Sequence, residues 1–185
     1  MNQKQKFIGI SLVLFLLTNN LFASEILKKE ISFFVDHTTK EVTGICNEVI
    51  TEPVSIQLIG KTYTLKSPFL ITVPVSKVSS GDEGRDSHIK EILGFPDFPN
   101  VLVKVEAVKF DATAGYTITG KLTIHGKTKE FSSSANLDST DPNIILVEGK
   151  VIAKFSEYEL ENPSLLFMKA KDNIEIKYLF QIKVK

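Results

Sequence analysis

The sequence predicts an all-β fold with a single short helix, and three observations carry that prediction. Apolar residues alternate with Lys, Glu, Thr and Ser through Ile31-Phe33-Val35, Phe69-Ile71-Val73-Val75, Val101-Val103-Val105-Ala107, Ile118-Gly120-Leu122-Ile124, Val147-Gly149-Val151-Ala153 and Ile174-Ile176-Tyr178-Phe180-Ile182. A period of two marks a strand with one buried and one wetted face. Turn chemistry falls between these runs, at His125-Gly126, between Asp111 and Gly115, and at Thr140-Asp141-Pro142-Asn143. Only one stretch, following Ser80-Gly81-Asp82, spaces its apolar residues helically.

The chain begins with Lys4 and Lys6, an apolar run from Phe7 to Leu17, and Leu21-Phe22-Ala23 before Ser24. That order of basic, apolar and small-residue segments is a secretory signal, so residues 1–23 are expected to be cleaved and residues 24–185 to form one exported domain. The apolar run falls short of the roughly 20 residues that cross a bilayer. Cleavage removes two of 22 basic residues and none of the 22 acidic ones, which leaves a mature net charge of −2. Such balance provides no electrostatic footprint for nucleic acid, and at most transient membrane contact is expected.

Along the mature chain, the first strand ends at His37, and weaker runs near Val42-Cys46, residues 55–60 and residues 61–66 bring the total to eight or nine strands. Cys46 is the only cysteine and is expected to be buried in its strand. Pro74 sits at a polar-parity position, which requires a strand end, an edge or a bulge. In the helix, Ser80, Gly81 and Asp82 supply capping groups, and Arg85, Ile89, Ile92 and Leu93 share one face. That face is expected to lie across the end of the sheet. Pattern alone leaves sandwich and barrel both open.

Enzyme signatures are scarce. There is no G-x-S-x-G elbow, P-loop, H-E-x-x-H or C-x-x-C; Ser132-Ser133-Ser134 has no neighbouring base, and His37, His88 and His125 lack metal-ligand spacing. His125 reads as a surface turn residue. No catalytic residue, metal or cofactor is expected.

Four motifs carry a resemblance. Phe33-Phe34-Val35-Asp36-His37 fits F-x-V-x-H, and Val42-Thr43-Gly44 fits the V-x-G that follows it. Ser80 to Ile89 fits T/S-G-x-x-x-R-D-x-H-[LI], and Gly120 to Thr128 fits G-x-L-T-[IL]-x-G-x-T. The chain resembles the YceI-like family of exported lipocalin-like barrels that hold polyisoprenoid lipids. The resemblance implies an eight-stranded antiparallel barrel with the helix near one mouth, in the periplasm. It also implies a carrier or sequestering function, not an enzyme, for a polyisoprenoid or other long apolar lipid, a quinone included.

On this reading Phe33, Val35, Ile71, Val73, Val103, Val105, Ile118, Leu122, Val151, Tyr178 and Phe180 line the lumen. Inward Val73, Val103, Val105, Gly120, Gly149, Val151 and Ala153 are small and are expected to leave room for a slender chain. His37, Arg85, Asp86 and His88 are candidates for the mouth, where they either fasten the helix or meet a lipid head group. Two rivals stand beside this reading: a solid-core sandwich acting in protein interaction or stress response without a lipid, and an enzyme working through the mouth cluster. The oligomeric state is left open, a homodimer included.

The mature protein is expected to begin at Ser24 and to be recovered from the periplasm without detergent. N-terminal sequencing checks this, and retention of Lys4 or Lys6 would contradict it.

Overall fold

The computed structural model describes residues 24–37, 41–165 and 168–184; the signal-like segment 1–23 lies outside them. In chain order the elements are β1 (Glu25–His37), β2 (Glu41–Cys46), β3 (Ile50–Thr51), β4 (Ile56–Ile59), β5 (Thr62–Leu65) and β6 (Phe69–Pro74). The helix α1 (Glu83–Ile92) follows, and then β7 (Asn100–Asp111), β8 (Gly115–Ile124), β9 (Lys127–Asp141), β10 (Ile144–Lys154), β11 (Ser164–Leu165) and β12 (Met168–Lys183). The fold is all-β with one helix.

One antiparallel sheet runs in the order β2-β1-β12-β10-β9-β8-β7-β6-β3 and curls on itself. Its two margins meet where Ile45 of β2 and Ser79, beyond β6, exchange backbone hydrogen bonds of 2.8 and 3.0 Å. Eight strands have six or more residues, which is the number expected for the barrel. The total is larger because residues 47–68 break into short pieces: β3 adds two residues to β6, and β4 pairs only with β5. Pro53 and Pro68 flank that hairpin, and proline cannot donate to a ladder, so neither flank continues as a strand. β11 is a two-residue pair with β12.

The turns follow their chemistry. His125 (φ 49°) and Gly126 (φ 72°) form a two-residue hairpin with both central residues left-handed. Asp111 Oδ1 accepts from the amides of Thr113 and Ala114 at 2.8 and 2.9 Å, which closes the β7–β8 turn. Pro74 is the last residue of β6, so its missing N–H interrupts no ladder. Cys46 is 2% exposed, and burial pushes its thiol above the ordinary range.

The inward glycines behave differently from expectation. Gly44, Gly120 and Gly149 stand directly opposite Phe33, Phe131 and Tyr178 on the neighbouring strands. A Cβ on Gly44 would lie 2.3 Å from the Phe33 ring, and one on Gly149 would lie 2.2 Å from the Tyr178 hydroxyl. The glycines therefore receive an aromatic ring laid flat on the wall; they do not themselves open space. Gly120 and Gly149 are absent from the walls of both interior cavities, and so is Ala153.

Gly120 is the most constrained of the three, since its Cβ would meet the backbone oxygen of Lys104 at 2.0 Å. Gly120→Ala is expected to cost about 1–3 kcal/mol, the usual scale of overpacking. Denaturant melts check this, and unchanged stability would show that β7 yields freely at this point.

Candidate functional site: an apolar bore with two differently closed ends

Two cavities lie end to end inside the curled sheet. Their volumes, taken as the space open to the centre of a water-sized sphere, are about 100 and 200 Å³. Ile31, Val103, Leu122 and Ile176 belong to the walls of both, so these four side chains form a collar between the chambers. No polar atom is exposed on either wall among the described residues.

All eleven residues expected in the lumen are found on these walls. Ile71, Val105, Ile118, Val151, Tyr178 and Phe180 line the smaller chamber, and Phe33, Val35 and Val73 line the larger one, while Val103 and Leu122 line both. Period-two parity puts them there, because each belongs to a strand whose alternate residues face inward. Parity also marked Ile31 and Ile176, which were not singled out. Ile56, Tyr63 and Leu65 at the smaller chamber belong to the weaker runs at 55–60 and 61–66, whose inward face the main sheet does not fix because their hairpin stands outside it.

The aromatic polar groups are hidden from the bore. Tyr178 Oη lies 2.8 Å from Ser133 Oγ, which donates to the Lys150 carbonyl at 2.8 Å. This relay crosses the place where β9 and β10 part, since their pairing runs from Ile144–Asp141 only to Gly149–Ala135. Burial raises the Tyr178 pKa, partly opposed by the bond to Ser133. Ser133, 1% exposed, thus fastens the wall.

The larger chamber is closed by α1 and by Phe155 and Leu160 from the segment after β10. Asp82 caps the helix by accepting from the Arg85 amide at 2.8 Å. Ile89, Ile92 and Leu93 then face the chamber together with Arg85 and His88. At the far end of α1, Gly94 (φ 76°) allows close approach of His125 and Phe98, whose rings meet edge to face with centroids 4.6 Å apart. His125 is therefore half-buried against the helix terminus and is not a simple surface turn residue.

The four polar candidates at this end are not one cluster. Asp86 accepts from the Ser80 amide at 2.6 Å, from the Ser80 hydroxyl, and from the Ser79 hydroxyl at 2.9 Å. Arg85 donates to Ser80 Oγ at 2.8 Å and to the Ser80 carbonyl at 3.0 Å. Both half-buried side chains thus tie α1 to the segment that closes the sheet, through Ser80 and not through each other. His88 is half exposed and faces Glu91 at 3.6 Å. His37 ends β1 opposite Ala170, and its side chain lies outside the described residues. Among the described residues no three His, Cys, Asp or Glu side chains converge on a metal position.

Hydrogen bonds from Ser80, first its hydroxyl and then its amide, hold the Asp86 carboxyl below the usual range; partial burial opposes them, and Ser79 and Lys90 add smaller effects. A lowered folded-state pKa means that this stabilisation is present above the unfolded value, about 3.9, and is lost as pH falls below it. Asp86→Asn is expected to melt lower than the parent at pH 7, and the gap should narrow below about pH 4. A gap that stays constant down to pH 2.5 would show that the charge of Asp86 is not what fastens the helix.

The YceI-like domain family matches residues 26–182. Among solved structures, BcnA from Burkholderia cenocepacia superposes with a TM-score of 0.69 at 14% identity, covering 83% of this chain and 95% of that one. A polyisoprenoid binding domain from Saccharophagus degradans, implicated in plant cell wall breakdown, gives a TM-score of 0.62 at 13% identity over 88% and 99% of the two chains. The Campylobacter jejuni YCEI protein gives 0.61 at 15% identity over 79% and 86%. A comparison with curated protein sequences found no match. With the family pattern spanning nearly the whole of the curled sheet and its helix, the chain belongs to the YceI-like family.

Proposed function

We propose that this protein binds one long apolar lipid, of the polyisoprenoid class or a quinone with such a tail, along its bore and carries or sequesters it outside the cytoplasm. The observation that supports this most directly is the wall itself: two chambers in line, sharing a collar, with no polar atom exposed to an occupant among the described residues. A filled sandwich would have no such space, and a single curled sheet leaves it. The Saccharophagus structure, named for polyisoprenoid binding, supports the ligand class. The signal-like segment 1–23 supports export, and none of the described helices is long and apolar enough to cross a membrane.

The energetics suit a carrier. Ligands of this size gain about 0.3 kcal/mol per heavy atom, or roughly 1.5 kcal/mol per five-carbon unit. Five or six enclosed units then give about −8 kcal/mol, near micromolar affinity. Affinity on this account grows with enclosed length and needs no charged partner. Arg85 and Asp86 act as fasteners of α1 on this account.

Val151 tests the reading because it lines the smaller chamber beside the parting of β9 and β10. Val151→Phe is expected to leave the lipid-free protein within about 1 kcal/mol of the parent while reducing uptake of a C20 prenol at least tenfold. A filled core would instead lose about 1–3 kcal/mol to forced rotamers. Denaturant melts of delipidated protein paired with a binding titration check both arms. Marked destabilisation with unchanged uptake would contradict an open bore at this position.

A further inference from the structure

The end of the bore opposite α1 is closed by chain that lies outside the main sheet. The β4–β5 hairpin covers it, with Ile56, Tyr63 and Leu65 on the wall of the smaller chamber. This hairpin belongs to no larger sheet. Its side-chain hydrogen bonds to the barrel come from Tyr63, whose amide donates to Tyr116 Oη at 3.0 Å and whose hydroxyl donates to Ser139 Oγ at 3.3 Å. In the closed position Thr64 Oγ1 is buried with no hydrogen-bond partner among the described residues. Opening the hairpin would relieve that cost.

The outer side of the same hairpin is apolar where water would favour polar residues. Leu58 and Ile59, adjacent at the tip, are 58% and 56% exposed, beside Gly60 and Lys61. Leu27, near the start of β1, and Phe110, at the β7–β8 turn, are exposed at the same end. Phe110 packs on Tyr116, the ring that also latches the hairpin, with centroids 4.9 Å apart.

We propose that the β4–β5 hairpin is a membrane-docking lid: Leu58 and Ile59 enter the interface of a lipid bilayer, and seating there draws the hairpin off the bore so that the lipid tail passes directly between bilayer and lumen. The proposal rests on the lumen's holding a lipid. A bilayer fits better than a second protein because the tip protrudes as two aliphatic side chains. A stable protein interface needs roughly 20–30 residues on each side. The exposed residues are also continuous, through the hairpin, with the wall that the lipid would occupy. Because Lys61 beside the tip is the residue suited to the headgroup layer, shallow insertion and not spanning is implied.

The test uses vesicles of phosphatidylethanolamine and phosphatidylglycerol, with and without geranylgeraniol, and the full mature chain. The double variant L58S/I59S alters exposed residues only and should keep the parental melting temperature. It should bind geranylgeraniol presented in octylglucoside as the parent does, yet lose co-sedimentation with vesicles and take up vesicle-borne geranylgeraniol at least tenfold more slowly. Tyr116→Phe, which removes a latch and keeps the ring, should speed that uptake. Equal co-sedimentation or equal uptake by L58S/I59S would overturn the proposal. So would a parental dimer that L58S/I59S converts to monomer, since the tip would then serve a second copy. If the parent takes no geranylgeraniol by either route, the lumen reading fails on its own, and docking of the tip is judged by co-sedimentation alone.

Discussion

The bore exists because three aromatic rings are absorbed into its wall. Phe33, Phe131 and Tyr178 each face a glycine on the adjacent strand; the Phe33 and Tyr178 side chains take the space that a Cβ would need, and the Phe131 ring lies 3.0 Å from that space at Gly120. Were the rings to point at the axis, three large side chains would fill a small barrel, which is the ordinary way such interiors are closed. With the rings laid flat, the remaining inward positions are mostly Val, Ile and Leu. The result is a bore with an apolar surface and a collar at Ile31, Val103, Leu122 and Ile176. The tyrosine hydroxyl would be an exception, but Ser133 removes it from view and uses it to hold β9 and β10 together where their ladder stops.

The two ends of the bore are closed by different physics. At one end a capped helix is tied down by charge-assisted hydrogen bonds converging on Ser80, with buried Phe155 and Leu160 packed beside it. Such bonds are roughly twice as strong as neutral ones and directional, so this end is fixed. At the other end a hairpin outside the main sheet is held by apolar contact, by neutral tyrosine bonds and, at its base, by the backbone bond from Ser24 to the Val54 carbonyl. A pocket with one fixed and one lightly held end has a natural direction for loading, and the exposed aliphatic tip lies on the lightly held side.

Much of this was legible in the residues. Period-two runs predicted the long strands and put the eleven residues expected to face inward on the chamber walls, because parity in a strand leaves no choice of face once the core side is known. The helix face of Arg85, Ile89, Ile92 and Leu93, and the turn at His125-Gly126, followed equally from spacing. The glycines could not be read this way. A small inward residue looks like free space in a sequence, and only the register shows that a ring from the next strand occupies it. The partner of Asp86 was likewise hidden, since Arg85 is adjacent in sequence while Ser80 becomes the true centre only when the chain folds back on the helix start. The 55–66 hairpin was recognisable as strands, but its separation from the sheet depends on the flanking prolines and on what covers the barrel end.

The central claim is that the bore is a lipid site and not a packing defect. Solvent extraction of the protein purified without detergent, followed by mass spectrometry, tests it most directly. The account predicts a single class of long-chain prenyl lipid at close to one molecule per chain. Recovery of no lipid, together with failure of the delipidated protein to take up a C20 prenol in titration, would contradict it.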